Sequence, residues 1–115
     1  MNKITLIALI AGFLCLASTG AKAQTPERYC KVWGPVYEVD DPARADFIVY
    51  EEDTEAFAEV LIFETDSELY ADREGLWYFT KNEHFARYRI FFADERYQAH
   101  FSVYFTTTES FAGCR

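Results

Sequence analysis

The sequence predicts an α+β domain built as a compact tandem repeat: six units of about 13 residues, each a strand followed by a helical turn, winding about one axis. Three observations predict it. Six aromatic anchors, Tyr37, Tyr50, Phe63, Tyr78, Phe91 and Tyr104, stand 13, 13, 15, 13 and 13 residues apart. Eight residues after each anchor comes an alanine: Ala45, Ala58, Ala71, Ala86, Ala99 and Ala112. Immediately before each stands a β-branched or bulky residue: Val36, Val49, Ile62, Trp77, Ile90 and Val103.

Residues 1–23 read as a cleaved export signal. Lys3 supplies the positive start, residues 4–17 the apolar stretch, and Ala21-Lys22-Ala23 a small-x-small cleavage site. The apolar stretch is short for a membrane span of about 20 residues. A lipoprotein signal at Cys15 is disfavoured by Leu14, where a small side chain is required. The chain is thus expected to be secreted or periplasmic, with residues 24–34 an N-terminal segment and residues 35–115 a single repeat domain. The 92 residues from 24 onward are enough for one small domain.

Within each unit the stretch around the anchor, as in FIVYEE, VLIFET and FSVYFT, is rich in the β-branched and aromatic residues that suit strands. Four residues past the anchors come Asp41, Thr54, Ser67, Asn82, Glu95 and Thr108, and all but Glu95 are good helix N-caps. Glu55, Glu68, Glu83 and Glu109 follow, where a carboxylate meets the positive end of a helix, and Pro42 takes the same place in the first unit. The alanine in register then marks a tight contact where a methyl is all that fits. Too few residues separate successive strands for an ordinary parallel crossover. A chain circling the axis twice, the second lap laid against the first, is therefore expected.

One residue past the anchor, the first three units carry Glu38, Glu51 and Glu64 and the last three Phe79, Phe92 and Phe105. Residues 36–75 hold 14 acidic and 2 basic side chains, and residues 76–115 hold 4 and 5. This asymmetry predicts three outer, wet units and three inner, buried ones. The formal charge of residues 24–115 is −10, which makes nucleic acid and anionic membrane surfaces poor partners. After signal cleavage no membrane association is expected.

Two cysteines remain, Cys30 and Cys114. An even count in an oxidising compartment favours a disulfide, with two free thiols as the alternative. Catalytic chemistry is hard to assemble: His84 and His100 sit in a turn and a connection, and no nucleophile motif surrounds Ser67, Ser102 or Ser110. Asp40, Asp53, Asp66 and Asp94 recur at one register and, with Glu55 and Glu68, leave calcium binding open; Asx-type turn bonding is the simpler reading. No catalytic residue, metal or cofactor is expected. Trp33, Tyr29, Tyr70 and Phe57 fall outside the strict strand faces and offer an alternative binding patch.

The stretches VYEVDDPARAD, IVYEEDTEAFAE, LIFETDSELYAD, GLWYFTKNEHFA, IFFADERYQA and FTTTESFAGCR resemble the septoil knot domain family across residues 35–115. That family is built on runs of the type KVYxVDxExxADxxVY with a central GLWYF. The resemblance implies short strands and helical turns whose backbone is deeply knotted, as a seven-crossing torus knot. It implies no functional residue, because the family's biochemical role is unknown. The cysteine pair and the residues Lys81, Arg89 and His100 depart from the family's pattern.

The functional expectation is a non-enzymatic, monomeric, extracytoplasmic protein, rigid and protease-resistant, with a structural or binding role and an unidentified partner. Two alternatives stand beside it. One is an acidic binder or inhibitor of a basic envelope or secreted protein such as a lysozyme, using the acidic half as its interface. The other is a glycan hydrolase.

Overall fold

Each unit extends its Val-, Ile-, Phe- and Tyr-rich stretch into a short strand. In the computed structural model, which describes residues 25–115, these are β1 (Gly34–Glu38), β2 (Phe47–Glu51), β3 (Val60–Glu64), β4 (Leu76–Phe79), β5 (Tyr88–Phe92) and β6 (Phe101–Phe105). A two-residue β7 (Gly113–Cys114) closes the chain, and a four-residue helix α1 (Glu27–Cys30) precedes β1. The expected signal, residues 1–23, lies outside the described residues.

A single 3-10 turn follows every anchored strand: η1 (Pro42–Arg44), η2 (Glu55–Phe57), η3 (Glu68–Tyr70), η4 (Glu83–Phe85), η5 (Arg96–Gln98) and η6 (Glu109–Phe111). The residue four past each anchor is its N-cap. Asp41, Ser67 and Asn82 accept a bond from the backbone N–H two residues on, whereas Thr54, Glu95 and Thr108 make no such bond. The alanines are the C-caps, each donating its N–H to the carbonyl three residues earlier at 3.1–3.2 Å. Ala58 and Ala71 are buried and the other four half-buried.

The α+β expectation is therefore wrong. The domain is an all-parallel six-stranded β-barrel with one added strand and isolated 3-10 turns. The reason lies in the period: eight residues between β1 and β2 must both turn and travel back to the start of the next strand. A 3-10 turn closes its i→i+3 bond within that span, whereas an α-helix would consume the return path.

The strands lie in the order β4-β1-β5-β2-β6-β3, and β3 also pairs with β4, so the sheet closes on itself. First-lap and second-lap strands alternate around the ring. Register is uniform: Val36 faces Tyr88, Phe47 faces Ile90, Val49 faces Phe101 and Val60 faces Val103, a displacement of two residues at each pairing. Because the displacement is even and constant, residues equally far from their anchors form one ring around the barrel, and alternate residues point inward. The residue two past each anchor donates its N–H to the carbonyl of the residue before the anchor in a neighbouring strand, as Val39 does to Ile90 at 2.9 Å and Thr80 to Val36 at 2.9 Å.

Inside are three rings. The middle ring, Val36, Val49, Ile62, Trp77, Ile90 and Val103, is the core, each residue 0 % exposed. The lower ring holds Phe47, Val60, Tyr88 and Phe101, with Gly34 at the start of β1 and Gly75 just before β4. Helix α1 plugs this end: Tyr29 stacks on Phe101 at 4.7 Å and meets Phe47 edge-on at 5.9 Å. The Trp77 Nε1–H donates to the Val32 carbonyl at 3.1 Å, tying the plug's exit to the core. Cys30 and Cys114 form a disulfide across Cα atoms 5.1 Å apart, joining the plug to β7. β7 runs antiparallel to β3. The anchors are half-buried on the outer surface of the barrel.

Candidate functional site: the upper mouth of the barrel

All six strands point the same way, so the residues just past the anchors gather at one mouth, here termed upper. Because the two laps interleave, the ring there reads Phe79, Glu38, Phe92, Glu51, Phe105, Glu64, alternating phenyl and carboxylate. These six residues line a cavity of about 590 Å³.

The three phenyl centroids are 6.2, 6.1 and 6.2 Å apart, nearly an equilateral triangle. Their planes meet at 32°, 46° and 41°, angles too small for rings standing upright as walls around a threefold axis. They lie instead as a shallow floor, with one face toward the opening. Trp77 supports that floor from below, edge-on to Phe79 at 6.1 Å and to Phe105 at 6.3 Å. Glu38, Glu51 and Glu64 are exposed, and among the described residues none of the three takes an ion pair or a side-chain hydrogen bond.

The surroundings extend this charge. Counted over the four residues following each anchor, the upper end carries ten carboxylates and one ammonium, that of Lys81. Glu52 is nearly buried at 5 % exposure and accepts two bonds from Arg96, at 2.7 and 2.8 Å. That pairing raises the pKa of Arg96 above its ordinary value. Further down the flank, Glu83 accepts from Arg89 and from Arg44, both at 2.6 Å. Those two bonds, the one from Arg89 foremost, lower the pKa of Glu83. A second hollow of about 370 Å³ beside the mouth shares Glu38 and adds Tyr37, Val39, Asp40 and Arg44.

The sequence-predicted candidates fall as follows. Asp40, Asp53, Asp66 and Asp94 are exposed in four separate connections. Among the described residues no cluster of three or more His, Cys, Asp or Glu side chains is placed to hold a metal ion. His84 sits exposed in η4, its backbone N–H donating to Asn82 Oδ1 at 3.0 Å. His100 Nδ1 accepts from the Ile48 N–H at 3.0 Å while its ring stacks on Tyr29 at 6.2 Å. Ser102 is buried, its hydroxyl accepting from the Glu59 N–H at 3.1 Å. The four aromatics offered as a patch are not together: Tyr29 is in the plug, Trp33 lies under the Arg87 guanidinium at 4.0 Å, and Phe57 and Tyr70 are exposed on η2 and η3.

The division into three outer and three inner units is also corrected. All six strands are equivalent barrel staves, and glutamate and phenylalanine alternate in one ring rather than occupying two layers. The substitution of Glu for Phe at a single register was visible in the sequence. Its meaning was not, because no single unit shows which strand will become its neighbour.

A closed barrel of six parallel strands, laid down in two interleaved laps of one repeated unit, defines a tandem-repeat barrel class. The 7(1) septoil knot domain family matches residues 29–115, and the chain belongs to that family. A search of curated proteins and a search of solved structures found no match.

Proposed function

We propose that this septoil knot protein is a non-enzymatic, extracytoplasmic binding protein that holds a basic protein partner against the upper end of its barrel. One observation carries the reading: the four residues following each anchor hold ten carboxylates and one ammonium, only Glu52 of the ten is paired to a guanidinium, and the mouth's own three carboxylates are unpaired among the described residues. Such a field steers and orients a cationic surface and repels an anionic one. The disulfide fits an oxidising compartment, where a secreted basic protein such as a lysozyme is an available partner. With the laps interleaved, the interface on this reading is one end of the barrel, where the sequence suggested one half of the chain.

A salt titration of binding to a lysozyme tests this. Affinity is expected to fall steeply as ionic strength rises, since screening shortens the Debye length from about 30 Å at 0.01 M to about 10 Å at 0.1 M. Glu51→Lys is expected to weaken binding further. Salt-independent affinity overturns the reading.

The same carboxylates are the best-placed group for the hydrolytic alternative, which needs two carboxyls flanking a glycosidic bond. Assay of the wild type on a panel of envelope glycans separates the two. Turnover abolished by Glu38→Gln, Glu51→Gln or Glu64→Gln replaces the binding reading with the hydrolase.

A further inference from the structure

We propose that the upper mouth is a receptor for an alkyl-trimethylammonium group, whose methyls rest on the floor formed by Phe79, Phe92 and Phe105 while Glu38, Glu51 and Glu64 balance its charge. The inference shares with the preceding section the premise that this end receives cations, and it names which cation the cavity itself selects.

The floor comes first. Three phenyl faces turned toward an opening present the negative side of their quadrupoles, which attracts a cation and disfavours an anion. The carboxylates decide which cation. A hard metal ion takes six or more oxygen ligands in calcium sites, and here three carboxylates are held apart by a phenyl at every alternate position of the ring. A primary ammonium or a guanidinium brings three to five N–H donors. Against a hydrocarbon floor several of those donors would lose water without gaining an acceptor. A quaternary ammonium has no N–H to satisfy. Its charge is spread over methyl groups that pack against aromatic carbon, and its attraction to the rim needs no directional bond. The volume of about 590 Å³ lies within the range of small-molecule sites and holds the head group together with the start of its alkyl stem.

The mouth itself argues that the arrangement is selected. At this register an apolar side chain completes the barrel in three units, and the other three place a carboxylate on the same ring. A sequence that breaks its own repeat in every second stave, at the expense of like-charge repulsion, does so where function outweighs stability.

The test is NMR titration of the protein spanning residues 24–115, oxidised, observing the ring resonances of Phe79, Phe92 and Phe105. Four probes are used: choline chloride, its uncharged isostere 3,3-dimethyl-1-butanol, calcium chloride and phosphatidylcholine vesicles. Choline is expected to give saturable shifts at all three rings, with the isostere at least tenfold weaker and calcium inert at the rings. Vesicle binding in addition assigns the lipid headgroup as the source of the ammonium, and choline binding alone assigns a free solute. Phe92→Leu, which keeps the apolar floor and removes one ring face, is expected to weaken choline by roughly three- to thirtyfold. Glu51→Gln, which preserves shape, is expected to weaken choline and leave the isostere unchanged. Equal binding of choline and its isostere, displacement of choline by calcium, or no ring shifts with choline overturns the proposal. If lysozyme binding fails while choline binds, the protein-partner reading falls and this one stands; the reverse result does the opposite.

Discussion

Three glutamates at one register carry the proposed binding role, and their like charges work against stability. Glu38, Glu51 and Glu64 face a common cavity without partners among the described residues, so each raises the energy of the others. Replacing all three with glutamine is expected to raise Tm by roughly 2–4 °C in this small domain, while weakening partner binding and reducing its salt dependence. A Tm that falls would show the carboxylates to be structural. One layer below, Trp77 is wholly buried and bonded to the Val32 carbonyl. Trp77→Ala is expected to cost about 3–5 kcal/mol in urea unfolding, and Trp77→Phe about 1–3 kcal/mol, chiefly for the lost bond. The glycines provide a contrast of a different kind. Gly75 has φ +83° and a Cβ there would land on the backbone of Gly113 and on Ala112. Gly113 has φ +118°, and a Cβ there meets nothing. Both substitutions to alanine strain the backbone, by about 1–2 kcal/mol, but Gly75→Ala adds a collision with main chain that cannot move aside. Chemical denaturation should therefore rank Gly75→Ala well below Gly113→Ala in stability.

At the scale of elements, the turns decide how the staves are strapped together. Glu83 in η4 joins Arg44 of η1 to Arg89 of β5, linking connections from both laps. Its bonds to Arg89 and Arg44 lower its pKa below the ordinary 4.5. A carboxylate with a depressed folded pKa contributes stability that is complete above its unfolded value and lost as pH falls through the folded one. The Tm difference between wild type and Glu83→Gln is thus expected to be constant near neutrality and to close progressively below pH 4.5. A difference that persists unchanged into strong acid would show that the ion pairs contribute nothing. The turn positions were readable in advance, because capping residue types that can accept a free N–H, as Asp41, Ser67 and Asn82 do, recur before carboxylates suited to the positive end of a turn. The type of turn was not, since three residues of 3-10 and three of α carry the same local signals and only the length of the return path separates them.

At the scale of the whole molecule, the disulfide ties the plug at the lower mouth to the last strand. It closes the chain between Cys30 and Cys114, a sequence separation of 84, and on chain-entropy grounds such a link is worth roughly 4–5 kcal/mol. Reduction is expected to accelerate unfolding in guanidinium and to free Tyr29 from its stack on Phe101. Equal unfolding rates with and without reductant would count against a stabilising role. The barrel as a whole also converts the unequal charge of the two chain halves into an unequal charge of its surfaces. Alternating laps spread the acidic units around the full circumference, and the residues that follow each strand concentrate them at one end.

The amino-acid sequence alone determined the unit: its period, the strand around each anchor, the capping position and the register at which Glu replaces Phe. These are local matters, settled by side-chain alternation and by hydrogen bonds within a dozen residues. Only the tertiary structure decided which strands are neighbours, that the sheet closes, and that Glu38, Phe92, Glu51, Phe105, Glu64 and Phe79 share one mouth. Pairing between β1 and β5 joins residues some fifty positions apart, such as Val36 and Tyr88. It depends on how each connection carries the chain past one stave of the other lap, a geometric property of the closed barrel that no single repeat encodes.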